Sequence, residues 1–177
     1  VTLSDVLLNN INKNFVANLD SKEIELIEKN KKYSIKIRGL DNTSSNILIQ
    51  NLEELKQKYL PYTSGKYMPK DCDYILIREK KKEIIFIELK SESDKCFRRR
   101  HSEIVLQLLS GNTWLNHLAF CSTDHPNLVD TYTKKFIAIN KKTKTFQKCL
   151  PELTIDRDGA RFTFWNGMSF NINELTK

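Results

Sequence analysis

Apolar residues recur at Leu3, Val6, Leu7, Ile11, Phe15 and Leu19, a spacing that lines one face of a helix. Thr2 or Ser4 supplies a capping hydroxyl, and the asparagines in between weaken the helix. Ser21, followed by Glu23, Ile24, Leu26 and Ile27, reads as a short second helix. The period then shortens. Tyr33, Ile35 and Ile37 alternate with Ser34, Lys36 and Arg38, as in a half-buried strand, and Gly39 ends it. Positions 47–49 fit a brief strand and 52–59 a helical segment ending before Pro61, after which a loop with Gly65 runs to Pro69. Positions 73–78 and 84–90 are almost continuously apolar and are joined by the charged stretch 79–83. They predict a hairpin at the centre of a sheet covered on both faces.

Positions 98–118 carry a long helical pattern built on Ile104, Val105, Leu108, Leu109, Trp114, Leu115 and Leu118, with Gly111 placed to kink or divide it. Positions 118–121, with Cys121 as a buried thiol, and 136–139 read as core strands; 145–149 follows a lysine-rich turn. Three further strands, 153–155, 161–165 and 168–172, are separated by Asp158-Gly159 and Asn166-Gly167, both hairpin-turn dipeptides. Phe162, Phe164 and Trp165 suit a hairpin core; with Phe170 they could instead form a subunit interface. No repeat or linker divides the 177 residues, so the expectation is one domain, residues 1–177, in which 150–177 is a β extension.

Charge adds a partner. The formal net charge is +7, and two segments carry the excess: 78–100 with a net +4, and 134–148 with six lysines and no acid. Such stretches replace counterions on a polyanion; they also serve as solvated, edge-protecting lysines. The four cysteines form no CxxC pair and, with the three histidines, no zinc pattern. A reducing, cytoplasmic location is expected, with no membrane segment. The absence of a P-loop, dinucleotide fingerprint, serine elbow or HExxH argues against nucleotide hydrolysis, redox work and zinc proteolysis.

The chemistry concentrates on the predicted hairpin. Asp73 opens its first strand and Glu88 lies near the end of its second, so antiparallel pairing brings them together; Phe86, Glu88 and Lys90 share one face by alternation. Two carboxylates among apolar neighbours repel unless a cation, a proton or a base compensates. Mg2+ or Mn2+ suits that need: carboxylate oxygens hold the ion, which polarises a phosphodiester and lowers the pKa of an attacking water. Lys90 could orient that water, and the main-chain oxygen of Leu89 could be a further ligand.

Asp73 followed by Glu88-Leu89-Lys90 at the end of an apolar strand resembles the PD-(D/E)xK nuclease superfamily, with Pro69-Lys70-Asp71-Cys72-Asp73 as a loosened first half of the motif. Asp71 is the alternative motif aspartate. The resemblance covers about 33–139, and its specific support is confined to 69–107. It implies an α/β fold with a central mixed sheet flanked by helices, restriction-endonuclease-like, to which the C-terminal β-hairpin would be an extension. It also implies a glutamine on the helix after the ExK strand, here Gln107, and an upstream acid on the N-terminal helix, for which Glu23, Glu25 and Glu28 are candidates.

The function so implied is a divalent-metal-dependent endonuclease acting on DNA, with RNA open. The rival is a catalytically inactive nuclease-fold module that binds nucleic acid or another protein. Lys95, Arg98, Arg99, Arg100, His101, Lys141, Lys142 and Lys144 are the candidate nucleic-acid contacts, while Tyr59, Tyr62 and Tyr67 either stack on a base or anchor their loop. A homodimer or a partner protein is left open.

Overall fold

A computed structural model describes residues 1–28, 33–41, 45–59, 71–125, 127–141, 153–157 and 159–176. Pro69, Lys70, Tyr62, Tyr67, Lys142, Lys144, Lys148, Asp158 and the strand expected at 145–149 lie outside the described residues, as does the side chain of Tyr59.

The chain folds as a mixed α/β protein around a seven-stranded mixed sheet. The elements are α1 (Leu3–Asn10), β1 (Val16–Leu19), β2 (Glu23–Glu28), β3 (Tyr33–Arg38), β4 (Asn46–Gln50), α2 (Leu52–Tyr59), β5 (Tyr74–Arg78), β6 (Glu83–Lys90), α3 (Asp94–Arg99), α4 (His101–Ser122), β7 (Thr133–Asn140), β8 (Leu153–Arg157), β9 (Ala160–Asn166) and β10 (Ser169–Asn171). The large sheet runs β1-β4-β5-β6-β7-β9-β8; a second sheet runs β10-β3-β2.

The predicted hairpin is β5 and β6, antiparallel, with Tyr74 opposite Ile87 and Arg78 opposite Glu83. It lies in the middle of the large sheet, which explains why both strands are apolar on both faces. Ile75, Ile77, Ile84 and Phe86 bury against a helical layer that includes Leu3, Leu7, Leu52, Leu55, Ile104 and Leu108. Leu76, Ile85, Ile87 and Leu89 bury against Leu26, Ile35, Ile37 and Phe170 of the small sheet. The helices thus cover one face, and the second face is closed by strands.

Several sequence expectations are corrected. The first helix stops at Asn10, and Val16–Leu19 pairs antiparallel with β4; the asparagines end the helix and the last apolar positions serve a strand. The expected helix at 23–27 is β2, paired along its length with β3, because tertiary pairing overrides helical propensity. Residues 118–121 complete α4, where Cys121 is an exposed thiol. Arg100 separates α3 from α4, whereas Gly111 is inside α4. There a Cβ would lie 2.3 Å from Cys72 Sγ, so glycine is required by the close approach of helix and sheet.

The C-terminal strands continue both sheets. β9 pairs parallel with β7 and antiparallel with β8, adding two strands to the large sheet. Asn166-Gly167 is no hairpin turn: the chain crosses there to β10, which pairs parallel with β3 in the other sheet. Phe162 and Phe164 enter the helical-side core and Phe170 the opposite core, so none of the three is free to build a subunit interface. No helix among the described residues is long and apolar enough to cross a membrane.

Candidate active site

The open end of the β5–β6 hairpin holds the sequence-predicted acids. Asp73 sits just before β5, and its Oδ2 accepts the Leu89 N–H at 2.7 Å. Its carboxylate therefore takes the place of a ladder carbonyl beside β6. Glu88, 1% exposed, follows Phe86 by two residues and so shares the face covered by α4. Its Oε1 accepts from Lys90 Nζ, while its Oε2 is buried with no hydrogen-bond partner.

Burial, before anything else, opposes charge on both acids. Asp73 is pushed up to about 6: the Leu89 amide and Lys90 favour the carboxylate, but burial and Glu28 outweigh them. Glu88 is pushed up to about 8, by burial first and by Asp73 second, with Lys90 pulling the other way. The two acids thus feel each other. Asp71, the alternative motif residue, serves elsewhere: it pairs with Lys56 of α2, fully buried, and accepts from Ser110 Oγ at 2.5 Å. That network ties α2 and α4 to the segment just before Asp73.

Gln107 is buried on α4, and its Oε1 has no partner. One turn later Gly111 packs over Phe86, and at the helix start His101 packs on Phe164 with ring centres 4.1 Å apart. Phe164 lies across from Ala138, which lies across from Glu88. Gln107 therefore belongs to the stretch of α4 that spans the Glu88 layer.

A cleft of about 420 Å3 opens beside Asp73, lined among others by Glu28, Leu52, Glu53, Glu54 and Asp71. Glu88 is not among its lining residues. Of the three upstream acids, Glu28 is the one that acts on both Asp73 and Glu88, and it does so from a strand of the small sheet. Sequence reasoning had placed it on a helix. Glu92 was missed altogether, although E-x-K-x-E from Glu88 continues the alternation past Lys90.

The basic residues divide. Lys95, Arg98 and Arg99 are exposed on α3, just beyond the strand end. Arg100 pairs with Glu92 and Glu103, and His101 is packed between Phe97 and Phe164 with Nε2 buried and unpartnered. Neither is placed as a simple phosphate contact. Lys141 follows β7 at the site end, its amide bonded to the Lys90 carbonyl at 2.7 Å. Lys134 and Lys135 start that strand, at the far end of the sheet, and pair with Asp130 and Glu83.

No protein-family model, curated protein or solved structure matches this chain.

Proposed function

We propose that this chain is a divalent-metal-dependent phosphodiesterase of the PD-(D/E)xK, restriction-endonuclease-like kind, cutting DNA. The observation that carries the reading is the pairing of Asp73 with a buried Glu88 whose second oxygen has no partner, beside the amine of Lys90. A buried carboxylate oxygen left unsatisfied, next to a second carboxylate that repels it, is the environment a hard dication relieves. The residues fit such an ion: Asp73 and Glu88 would hold it, with the Leu89 carbonyl as a third donor. When bound, the ion supplies Lewis-acid activation of the phosphodiester and of the attacking water. The chain's own part is positional. The Leu89 amide fixes the Asp73 carboxylate, Lys90 bears positive charge where the phosphorane charge develops, and the Gln107 carboxamide offers a polar contact from the helical side. Lys95, Arg98, Arg99 and Lys141 supply charge along the approach, with Lys142 and Lys144 in the same basic segment; RNA is the other substrate to assay.

A second reading is a nuclease-fold module that binds nucleic acid or a partner protein without cutting. Among the described residues no group of three or more His, Cys, Asp or Glu side chains comes together to hold a metal. Glu88 already has Lys90, and it does not line the cleft. On ligand number alone this second reading is the better supported. One experiment separates the two. Purified protein is incubated with DNA and RNA in Mg2+, Mn2+ or EDTA, beside the Glu88→Ala and Lys90→Ala variants. Metal-dependent cutting lost in both folded variants supports the enzyme. Salt-sensitive binding with no cutting in either metal supports the module.

A further inference from the structure

We infer that the outward face of α4 pairs two copies of this chain around one zinc ion, ligated by His117 and Cys121 of each copy. The inference stands apart from the phosphodiesterase reading and uses none of its residues.

From Ile104 to Ser122, α4 carries no Asp, Glu, Lys or Arg, in a chain in which 29% of residues are charged. Ile104, Leu108, Gly111, Leu115 and Ala119 are its buried side. Leu106, Thr113, His117 and Phe120 fall at i, i+7, i+11 and i+14, so they stand together on the other side. All four are exposed, Leu106 at 57% and Phe120 at 64%. A solvated helix face ordinarily carries charge. This one presents two large apolar side chains instead.

Cys121 follows His117 by one turn and is likewise exposed. Its Sγ is 3.7 Å from His117 Nε2 and 4.0 Å from Nδ1. A tetrahedral zinc ion with its sulfur ligand at about 2.3 Å and its nitrogen ligand at about 2.0 to 2.1 Å holds those atoms about 3.6 Å apart. The pair therefore already stands at the bite of that ion. Trp114, one turn earlier, meets the His117 ring edge-on with ring centres 5.2 Å apart, which limits its rotation.

Two donors leave a tetrahedral ion half ligated, and a structural zinc takes four. Among the described residues no group of three His, Cys, Asp or Glu side chains of one chain completes the set. A two-fold axis through the ion does, because a symmetric contact gives each ligand a twin and so supplies two sulfurs and two imidazoles. Each thiol releases its proton to solvent as its sulfur takes the ion. The same axis sets two α4 stripes against each other and covers Phe120. Phe120 and Cys121 border a groove of about 590 Å3 against α1, with room for an aromatic ring from the second copy. Stable interfaces bury about 1,600 Å2, far more than two apolar side chains provide. Assembly therefore depends on the metal.

The test uses the full chain, kept reduced with a phosphine, stripped with EDTA, and titrated with Zn2+ or Co2+. Sedimentation velocity reads the mass, and cobalt–thiolate absorption reads the ligands. The expected result is a monomer in EDTA that becomes a dimer with one ion for two chains and a tetrahedral cobalt–thiolate spectrum. Cys121→Ser and His117→Ala, both at exposed positions, should keep the wild-type circular dichroism and stay monomeric at the metal concentration that assembles the wild type. Cys96→Ser, at the exposed cysteine of α3, should assemble normally. Phe120→Glu retains both ligands but sets like charges across the axis, and should weaken the dimer at least about tenfold. A chain that stays monomeric in zinc, takes the ion one to one, or dimerises equally in EDTA or as Cys121→Ser overturns the inference. So does a Phe120→Glu protein that assembles as tightly as the wild type.

Discussion

Glu88→Gln should make the protein more stable in alkaline buffer than the wild type. A carboxyl that holds its proton up to about 8 when folded, but releases it near 4.5 when unfolded, gives the folded state the extra proton between those values. Stability then falls as pH rises through that window, by about 1.4 kcal/mol per pH unit where the difference is one full proton. It levels off above about pH 8. The accumulated loss is on the order of 3 to 5 kcal/mol, a large share of the roughly 5 to 15 kcal/mol that holds a domain folded. Glutamine mimics the protonated acid in shape and still accepts from Lys90, so it carries no such dependence. Asp73 contributes in the same direction at lower pH, between its ordinary value and about 6. His101, pulled down by burial and by Arg98, works the opposite way below pH 6.5, where stability is lost as pH falls. Taking the difference between wild type and variant cancels both to the extent that Asp73 is unaffected by its neighbour.

The assay is urea unfolding followed by the fluorescence of Trp114 and Trp165, from pH 5.5 to 9, in EDTA. The variant should already be about 1 kcal/mol the more stable at pH 5.5, and the gap should widen by about 3 kcal/mol by pH 9. Adding Mg2+ or Mn2+ at pH 8 should restore the wild type toward the variant, by about 2.7 kcal/mol at one hundred times the dissociation constant, and leave Glu88→Gln unmoved. Wild-type and variant curves that run parallel from pH 5.5 to 9 would refute the claim that Glu88 is buried against a second carboxylate. A metal effect of equal size in both proteins would detach the ion from this site.

The Gly111→Ala substitution should destabilise by about 1 to 3 kcal/mol, because the added methyl meets Cys72 Sγ; thermal denaturation reads the loss, and a Gly111→Ala, Cys72→Ala double variant should recover most of it. Asp71→Ala leaves Lys56 buried without its partner and should cost about 3 to 5 kcal/mol in chemical denaturation, whereas replacing Lys56 and Asp71 together by apolar residues should cost much less. Replacing Lys95, Arg98 and Arg99 by alanine should weaken DNA binding and flatten the slope of log affinity against log salt by about 0.9 for each phosphate contact removed, measured by fluorescence anisotropy in a salt series. An unchanged slope would assign those three exposed cations to solvent.

How far the sequence could be read depended on where each strand gets its partners. The β5–β6 hairpin was legible because its two strands touch each other, its turn is local, and continuous apolar runs imply cover on both faces. The antiparallel register then brought Asp73 to the Leu89 amide, at the end of β6, with no further information. β1 and β2 were not legible. Their apolar residues suit a helix equally well over so short a span, and the choice is made by pairing with β4 and β3, which the spacing within each segment does not report. β10 is a stronger case: its partner β3 lies more than a hundred residues earlier, and the Asn166-Gly167 signal is local.

The same blindness hid half of the candidate site. Glu88, Lys90 and Gln107 stand on elements whose own periodicity fixes the face they present. Glu28 acts on the acids only because the small sheet is laid across the large one, a packing that leaves no trace in spacing along the chain. Chemistry drawn from one hairpin can be read in order; chemistry assembled between two sheets must wait for the fold.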